Sequence, residues 1–431
     1  MKTKNKNKYV LLRGLKLVIN LNYELFIAKR IIAGKEYKNS ISSPIIKIAI
    51  TAIALGLIIM LIAIATGAGL QLKIREKIAG FNGHVQIVNY DNNNSEVSVV
   101  PIDKNQNFYP NFKEISGIKN IQIFASKAGI LRTKNDFEGI VFKGVSTDYD
   151  WSFFDEYLVA GRVPNLELPR TKEILLSKTV VDRLQLKLND TLLSTYIKNE
   201  ASTLPTNRKY TLVGIYNTGF AQFDNSIMIG DIREVQRLNK WTANQIGGFE
   251  VLLDNFEELD QKGDQIYRLI GAKLNSKTIV ESYPTVFEWI KLFDNNVWFI
   301  IAIMILVASI NMITALLVLI LERVQMIGIL KALGSNNWAI RKVFLYNASY
   351  LVVKGLLWGN SIGLALLLFQ KYTGILSLNP ETYYVSEVPI HISISTIVLL
   401  NIGTLVMCFL MLIIPSFIVT KINPAKSIKF A

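Results

Sequence analysis

The chain reads as a membrane protein of four transmembrane α-helices, with a large mixed α/β extracytoplasmic domain between helices 1 and 2. Three observations predict that class. Four apolar runs occupy residues 45–70, 297–321, 343–369 and 392–420, and each is long enough to cross a hydrocarbon core of about 30 Å. The runs are split one and three by a stretch of 226 residues, 71–296, that carries charge throughout. The third observation is where the net charge of +14 lies. Residues 73–294 hold 27 basic and 28 acidic side chains and are nearly neutral. Residues 1–43 hold 10 and 2, residues 322–342 hold 4 and 1, and residues 421–431 hold 3 and none. Four crossings place those three basic segments on one side, and basic residues near crossing ends mark the cytoplasm. Both termini are therefore expected inside and the large domain outside.

The same partition argues against a nucleic-acid partner, because no basic patch is concentrated in the soluble part. The lone cysteine, Cys408, lies inside the fourth apolar run, so no internal disulfide can form. His84 and His391 are far apart, and no Cys/His spacing suggests a metal site. No nucleophile–base arrangement is legible, so an enzyme is not expected.

Taken in order, residues 1–43 form a cytoplasmic segment whose first 16 residues, rich in Lys and Asn, read as disordered. Residues 23–38 (YELFIAKRIIAGKEYK) predict a helix with Leu25, Phe26, Ile27, Ile31 and Ile32 apolar and Lys29, Arg30, Lys35 and Lys38 basic. Two readings fit: a helix lying in the inner headgroup layer, or a cytosolic helix packed on a partner. Pro44 opens the first crossing, residues 44–70, which is too long for a signal peptide and has no small-residue cleavage pattern beyond it. Its end, Ala65-Thr66-Gly67-Ala68-Gly69, is small enough for close helix approach.

Within residues 71–296, strands are expected at 84–88, 121–125, 139–142, 210–215 and 226–229, and helices at 177–186, 231–238 and 256–270. Ser177 is a plausible N-cap, and Asn189-Asp190 a turn before a strand at 191–197. Residues 197–208 (IKNEASTLPTNR) are polar and aperiodic between two strand-like runs, which suggests a projecting hairpin loop or a plain surface loop. Residues 297–321, 343–369 and 392–420 supply crossings two to four. An inner loop at 322–342 and an outer loop at 370–391 join them, and aromatics of the outer loop are expected near the headgroups.

The inner loop is amphipathic. Ile327, Leu330 and Leu333 suggest one apolar line, and Gly334-Ser335 ends the helix. Held by two crossings, it is suited either to passing a push into the membrane or to serving as an ordinary connector. Lys354 lies about ten residues into the third run, where a charge is costly unless it snorkels or pairs. Trp358, one turn on, is the expected cation–π partner, and the readings are a functional contact or relief by water or a carbonyl.

The loop motif Glu322-Arg323 with Ile327-Gly328-Ile329-Leu330-Lys331-Ala332-Leu333-Gly334 resembles that of the macrolide-exporter-type, FtsX-like ABC permeases. The tail Asn423-Pro424-Ala425, with Ile428 and Lys429, resembles the family's closing pattern. Residues 173–177 (EILLS) and 186–191 (LKLNDT) resemble its extracytoplasmic domain, with Asn189 where Gly is common. Residues 23–30 (YELFIAKR), 78–87 (IAGFNGHVQI) and 383–389 (YYVSEVP) resemble the narrower lipoprotein-releasing, Lol-type branch.

The resemblance implies a permease subunit of the cell inner membrane that draws mature lipoproteins from the outer leaflet and hands them to a periplasmic carrier. It implies pairing with a second permease copy or paralogue and recruitment of two ATPase subunits. ATP and Mg would sit on those subunits, with no cofactor in this chain. Glu322, Arg323, Gly328, Leu330, Lys331, Leu333 and Gly334 would form the ATPase-coupling helix. Leu204, Pro205, Thr206 and Arg208 would form a hook that grips the carrier. Met60, Ile64, Ala68, Val297 and Ile300 would line the path for the lipid anchor. The chain has no G-x-x-x-x-G-K-[ST] phosphate loop, in keeping with energy supplied by a partner. Two other outcomes remain open at this point: a related permease for a drug or peptide, or a non-transporting complex that transmits a signal to cell-wall hydrolases.

Overall fold

The structure is a computed structural model that describes residues 23–33, 42–92, 97–133, 136–168, 171–196 and 205–423. The disorder expected near the N-terminus, Lys35 and Lys38, Leu204, and the closing motif from Pro424 lie outside the described residues. The chain divides into two compact units. One holds the residues up to Gly69, Leu292–Thr373 and those from Ile390; the other holds Leu70–Lys291 with Gly374–Pro389.

The first unit is helical. Its apolar runs lie in helices Ser42–Asn82, Pro284–Glu322, Asn337–Thr373 and Ile394–Ser416, and four spans are long and apolar enough to cross a membrane. Small residues decide how these helices meet. Gly355, Gly359 and Gly363 recur every fourth residue on the third span and face the first, where an added Cβ would lie 2.7 Å from Ile53, 2.9 Å from the Ala54 carbonyl and 3.0 Å from Leu61. Gly67 sits against Val297 and Phe293 of the second span. A polar staple joins the third and fourth spans: Asn360 Nδ2 donates to Asn401 Oδ1 at 2.7 Å, and Asn401 Nδ2 returns a bond at 3.1 Å. Leu57, Met60, Met312, Ile320, Phe344, Cys408 and Leu412 pack into the common core.

The short helix Tyr23–Ala33 packs on the third long helix. Ala28 is buried, the Tyr23 hydroxyl bonds Ser335 Oγ at 2.6 Å, and Glu24 pairs with Lys342 at 3.8 Å. Leu25 and Phe26 are exposed, as are Lys29 and Arg30.

The second unit is built on twelve strands among the described residues. In chain order they are β1 (Val85–Asn89), β2 (Ile102–Asp103), β3 (Ile118–Arg132), β4 (Phe137–Val145), β5 (Leu158–Gly161) and β6 (Glu173–Ser177). There follow β7 (Thr191–Tyr196), β8 (Thr206–Tyr216), β9 (Ile227–Asp231), β10 (Gln245–Ile246), β11 (Gly248–Leu253) and β12 (Leu274–Thr278). Ten form one sheet in the order β12-β1-β11-β3-β4-β9-β6-β8-β5, with β7 bridging β3 and β8, while β2 and β10 pair separately. The sheet is mixed, since β4–β9 and β6–β8 run parallel.

Local chemistry sets the connections. Ser177 caps helix Lys178–Arg183 by accepting from the Val180 N–H, and Asp231 caps Ile232–Asn239 by accepting from Arg233. Asn189 adopts φ +69°, a left-handed conformation that Asn tolerates better than most residues with a side chain. The outer loop Gly374–Pro389 belongs to this unit. Tyr384 stacks on Phe220 at 5.1 Å and meets Trp289 at 5.8 Å, while its carbonyl accepts from Lys77 Nζ at 3.0 Å. The expectation that both tyrosines face headgroups is thus corrected for Tyr384, which packs inward.

Candidate functional site

The inner loop is compact and ordered from end to end. The second long helix stops at Glu322, Arg323 stands at the N-cap position of a short helix Val324–Ala332 without a side-chain cap bond, and the third long helix begins at Asn337. The stop after Ala332 is a paired-hydrogen-bond cap. The Ser335 N–H reaches the Leu330 carbonyl and the Gly334 N–H the Lys331 carbonyl, both at 3.0 Å. Gly334 takes φ +89°, which a side chain would resist, and this explains the glycine in the motif. Asn336 Oδ1 then accepts from the Ala339 N–H at 2.7 Å and starts the next helix.

The loop has two faces. Ile327 and Gly328 are buried, and Met326 and Leu330 pack against the helical core. Ile329, Leu333 and Trp338 are exposed. Leu333 is 79% exposed, which corrects the expected apolar line through Ile327, Leu330 and Leu333. Steps of three residues each fall about 60° short of a full helical turn, so Leu333 drifts from the buried face. Lys331 turns inward. Its ammonium is spent inside the chain, on the carbonyls of Val419 at 2.8 Å, Thr420 at 3.3 Å and Ile422 at 2.8 Å.

The residues expected to form a hook are divided. Pro205 is exposed, but Thr206 and Arg208 lie in β8, where Thr206 pairs with Tyr196 of β7. Arg208 lies 4.0 Å from Glu234. The hairpin flanks are therefore as expected, while Thr206 and Arg208 belong to its strand and not its tip.

The lipid-path residues also separate. Met60 is fully buried in the core of the helical unit, so it lines no surface open to a second copy. Ile64 and Ala68, one turn apart, line a small apolar cavity of about 40 Å³ with Leu367, Ile392 and Ile397. Val297 instead meets Gly67, and Ile300 is half-buried. Ile64 and Ala68 thus lie beside the third and fourth spans, and Val297 at the contact of the first and second. Lys354 is exposed, with Nζ 4.6 Å from the Tyr350 ring centre. Tyr350, one turn before it, takes the place expected of Trp358, because helical side chains lean toward the N-terminus.

Sequence reasoning missed a buried polar cluster in the α/β unit. Lys143 of β4 meets Glu250 of β11 at 2.6 Å, with Glu250 fully buried. Gln122 donates to Glu250 at 2.9 Å, and Lys143 also donates to the Phe81 carbonyl. Burial pushes the Lys143 ammonium below its ordinary range, and the Glu250 carboxylate opposes that shift. The pair edges a cleft of about 380 Å³ that Asn82, Gln86, Gln222 and Tyr283 also line. The only signal was a charge inside each of two alternating runs, FEGIVFKGV and GFEVLL.

Comparison with known proteins fits this architecture. The family model for the FtsX-like permease C-terminal region matches residues 298–424, and that for the MacB-like periplasmic core domain matches residues 48–269. The lipoprotein-releasing system transmembrane protein LolC of Neisseria meningitidis serogroup B is 22% identical over 430 residues, covering 94% of this chain and 99% of that protein. The corresponding LolE of Haemophilus influenzae is 20% identical over 421 residues, covering 94% and 99%. Among solved structures, the periplasmic region of MacB from Actinobacillus actinomycetemcomitans aligns with 50% of this chain and 97% of its own, at TM-score 0.33 and 16% identity. With one family model spanning more than half of its 431 residues and a second covering three of its four membrane spans, the chain belongs to the FtsX-like, MacB-like permeases of ABC transporters, as a homologue of the Lol-type lipoprotein-releasing subunits.

Proposed function

We propose that this chain extracts mature lipoproteins from the outer leaflet of the inner membrane and passes them to a periplasmic carrier, driven by ATP hydrolysis on separate subunits. The observation that carries the reading is end-to-end similarity to LolC and LolE proteins, 94% of this chain in each case. The physics asks for the same division of labour. A lipid anchor is held by about 0.8 kcal/mol per buried CH₂, so tens of methylenes make spontaneous release negligible. Work must be supplied, and the sequence carries no phosphate loop with which to supply it.

In this reading both termini and residues 322–342 face the cytoplasm, which agrees with the basic excess on those segments. Two ATPase subunits bind ATP and Mg and act on the inner loop, whose exposed Ile329, Leu333 and Trp338 offer them an apolar face. A second permease copy or a paralogue closes the lipid path, with Ile64, Ala68, Val297 and Ile300 as its contacts from this chain. Pro205 and the hairpin tip it borders would engage the carrier.

The test is purification in mild detergent with partners identified by mass, followed by reconstitution with a radiolabelled lipoprotein. The expected complex holds two permeases, two ATPases and bound lipoprotein, and it releases that lipoprotein to a carrier only with ATP. Cross-linking of the lipid anchor to a photoreactive residue at Ile64 is expected as well. An ATPase-bound complex that neither binds nor releases lipoprotein would overturn the reading in favour of another cargo or of signalling.

A further inference from the structure

The cytoplasmic end of the fourth span is broken. Its helix Ile394–Ser416 contains Pro415 and ends at Phe417, after which a single turn, Ile418–Lys421, resumes. Proline has no N–H to give the preceding turn, and the last carbonyls of any helix lack intrahelical donors. This end therefore needs donors from elsewhere; Lys331 of the inner loop supplies them, and Arg341 adds a side-chain contact. Lys331 Nζ donates to the carbonyls of Val419, Thr420 and Ile422 at 2.8, 3.3 and 2.8 Å. Arg341 Nε donates to Ser416 Oγ at 3.0 Å, and its guanidinium lies 3.8 Å from the centre of the Phe417 ring. An ammonium has three donors, and all three of Lys331's are taken by these carbonyls. Arg341 is 8% exposed, with its Nε engaged and its guanidinium against the Phe417 ring.

Lys331 shares a short helix and its cap with Ile329 and Leu333, both exposed. Anything that presses on that exposed face moves Lys331 with it. We propose that Lys331, seconded by Arg341, is a positioning residue that clasps the inner loop to the broken end of the fourth span, so that displacement of the loop is delivered to that span. Lys331 is then no contact for the ATPase, although it stands inside the loop motif. The proposal rests on the reading of residues 322–342 as the place where an ATPase acts.

The test uses the full complex with Lys331→Met, Lys331→Arg and wild type. Spin labels at exposed Ala332 and Ile414 report the distance between the loop and the fourth span. Lys331→Met is expected to keep the ATPase in the purified complex and to keep hydrolysing ATP. Lipoprotein released per ATP should fall about tenfold or more, the range of a lost coupling between sites. The label-to-label distribution should broaden, and Lys331→Arg should restore much of the release and narrow it again. Should Lys331→Met fail to insert, Lys331→Gln, which retains two donors, carries the same comparison. Loss of the ATPase from the Lys331→Met complex would overturn the proposal, since it would make Lys331 a docking contact. So would wild-type release with an unchanged distance distribution. If wild type itself releases no lipoprotein, the transport reading fails, and the distance measurement still decides whether the clasp exists.

Discussion

Lys143 and Glu250 show what a single residue can decide inside a sheet. The two meet at 2.6 Å, with Glu250 inaccessible to solvent and Lys143 nearly so. Removing one partner leaves a buried charge, which costs about 3–5 kcal/mol. Glu250→Leu is therefore expected to destabilise the α/β unit by that order, read as earlier proteolysis of the unit in denaturant. The double variant Lys143→Met/Glu250→Leu should recover most of the loss, because replacing both charges restores an apolar interior.

His84 gives the pH dependence. Its Nδ1 accepts the Leu253 N–H at 3.1 Å, which only a neutral ring can do. Burial, aided by the positive charge of Lys119, pushes its pKa down to about 4 from the ordinary 6.5. The unfolded chain therefore binds the extra proton first as pH falls. The stability His84 contributes is complete above pH 6.5 and is lost between there and about 4. Denaturant midpoints of His84→Asn and wild type should converge as pH falls through that window; a constant gap would count against the neutral acceptor. At this scale His84 and Asn189 were named from the sequence as motif positions, but the reasons for them, a ring acceptor and a left-handed turn, are contacts and dihedrals that a sequence does not carry.

Among the elements, the third span is held to the first by glycines, and that contact was not anticipated. The small-residue stretch at 65–69 was legible because it is continuous, whereas Gly355, Gly359 and Gly363 are spread over three turns of a run that also holds Lys354 and Trp358. Gly359 is the test of choice, because its nearest neighbour is a backbone atom. A Cβ there lies 2.9 Å from a carbonyl oxygen and 3.0 Å from Leu57, and backbone cannot swing aside. Gly359→Leu is expected to cost about 1–3 kcal/mol by forcing the helices apart, seen as a lower melting temperature of the purified chain in detergent. Gly403→Leu, at a site with open space around its Cβ, should leave that temperature nearly unchanged. In the α/β unit, the alternating runs near β1, β3, β4, β8 and β9 announced strands, and Ser177 and Asp231 announced helix starts. β11 and β12 did not announce themselves. β11 opens on glycine and buries a glutamate, and β12, reading LNSKT, is mostly polar. Cross-strand pairing with β1 makes both of them strands, β12 against its mostly polar composition.

For the molecule as a whole, number, length and order of the apolar runs were sufficient to predict four membrane spans and one large inserted domain, because the cost of exposing polar backbone to lipid depends on composition and length alone. The family was legible for a similar reason: the loop motif is local, and its glycine marks a cap that any chain with this backbone would need. The partners of side chains were not legible. Lys331 reads as a surface lysine in a docking motif until the fold brings the end of the fourth span, about 90 residues further on, within reach of its ammonium. Met60 reads as a residue of the lipid-anchor path until the core of the helical unit buries it. Hydropathy and spacing act along the chain, and one sequence contains them in full. Burial, ion pairing and the facing of a helix depend on which distant segment lies opposite, and only the tertiary structure decides that.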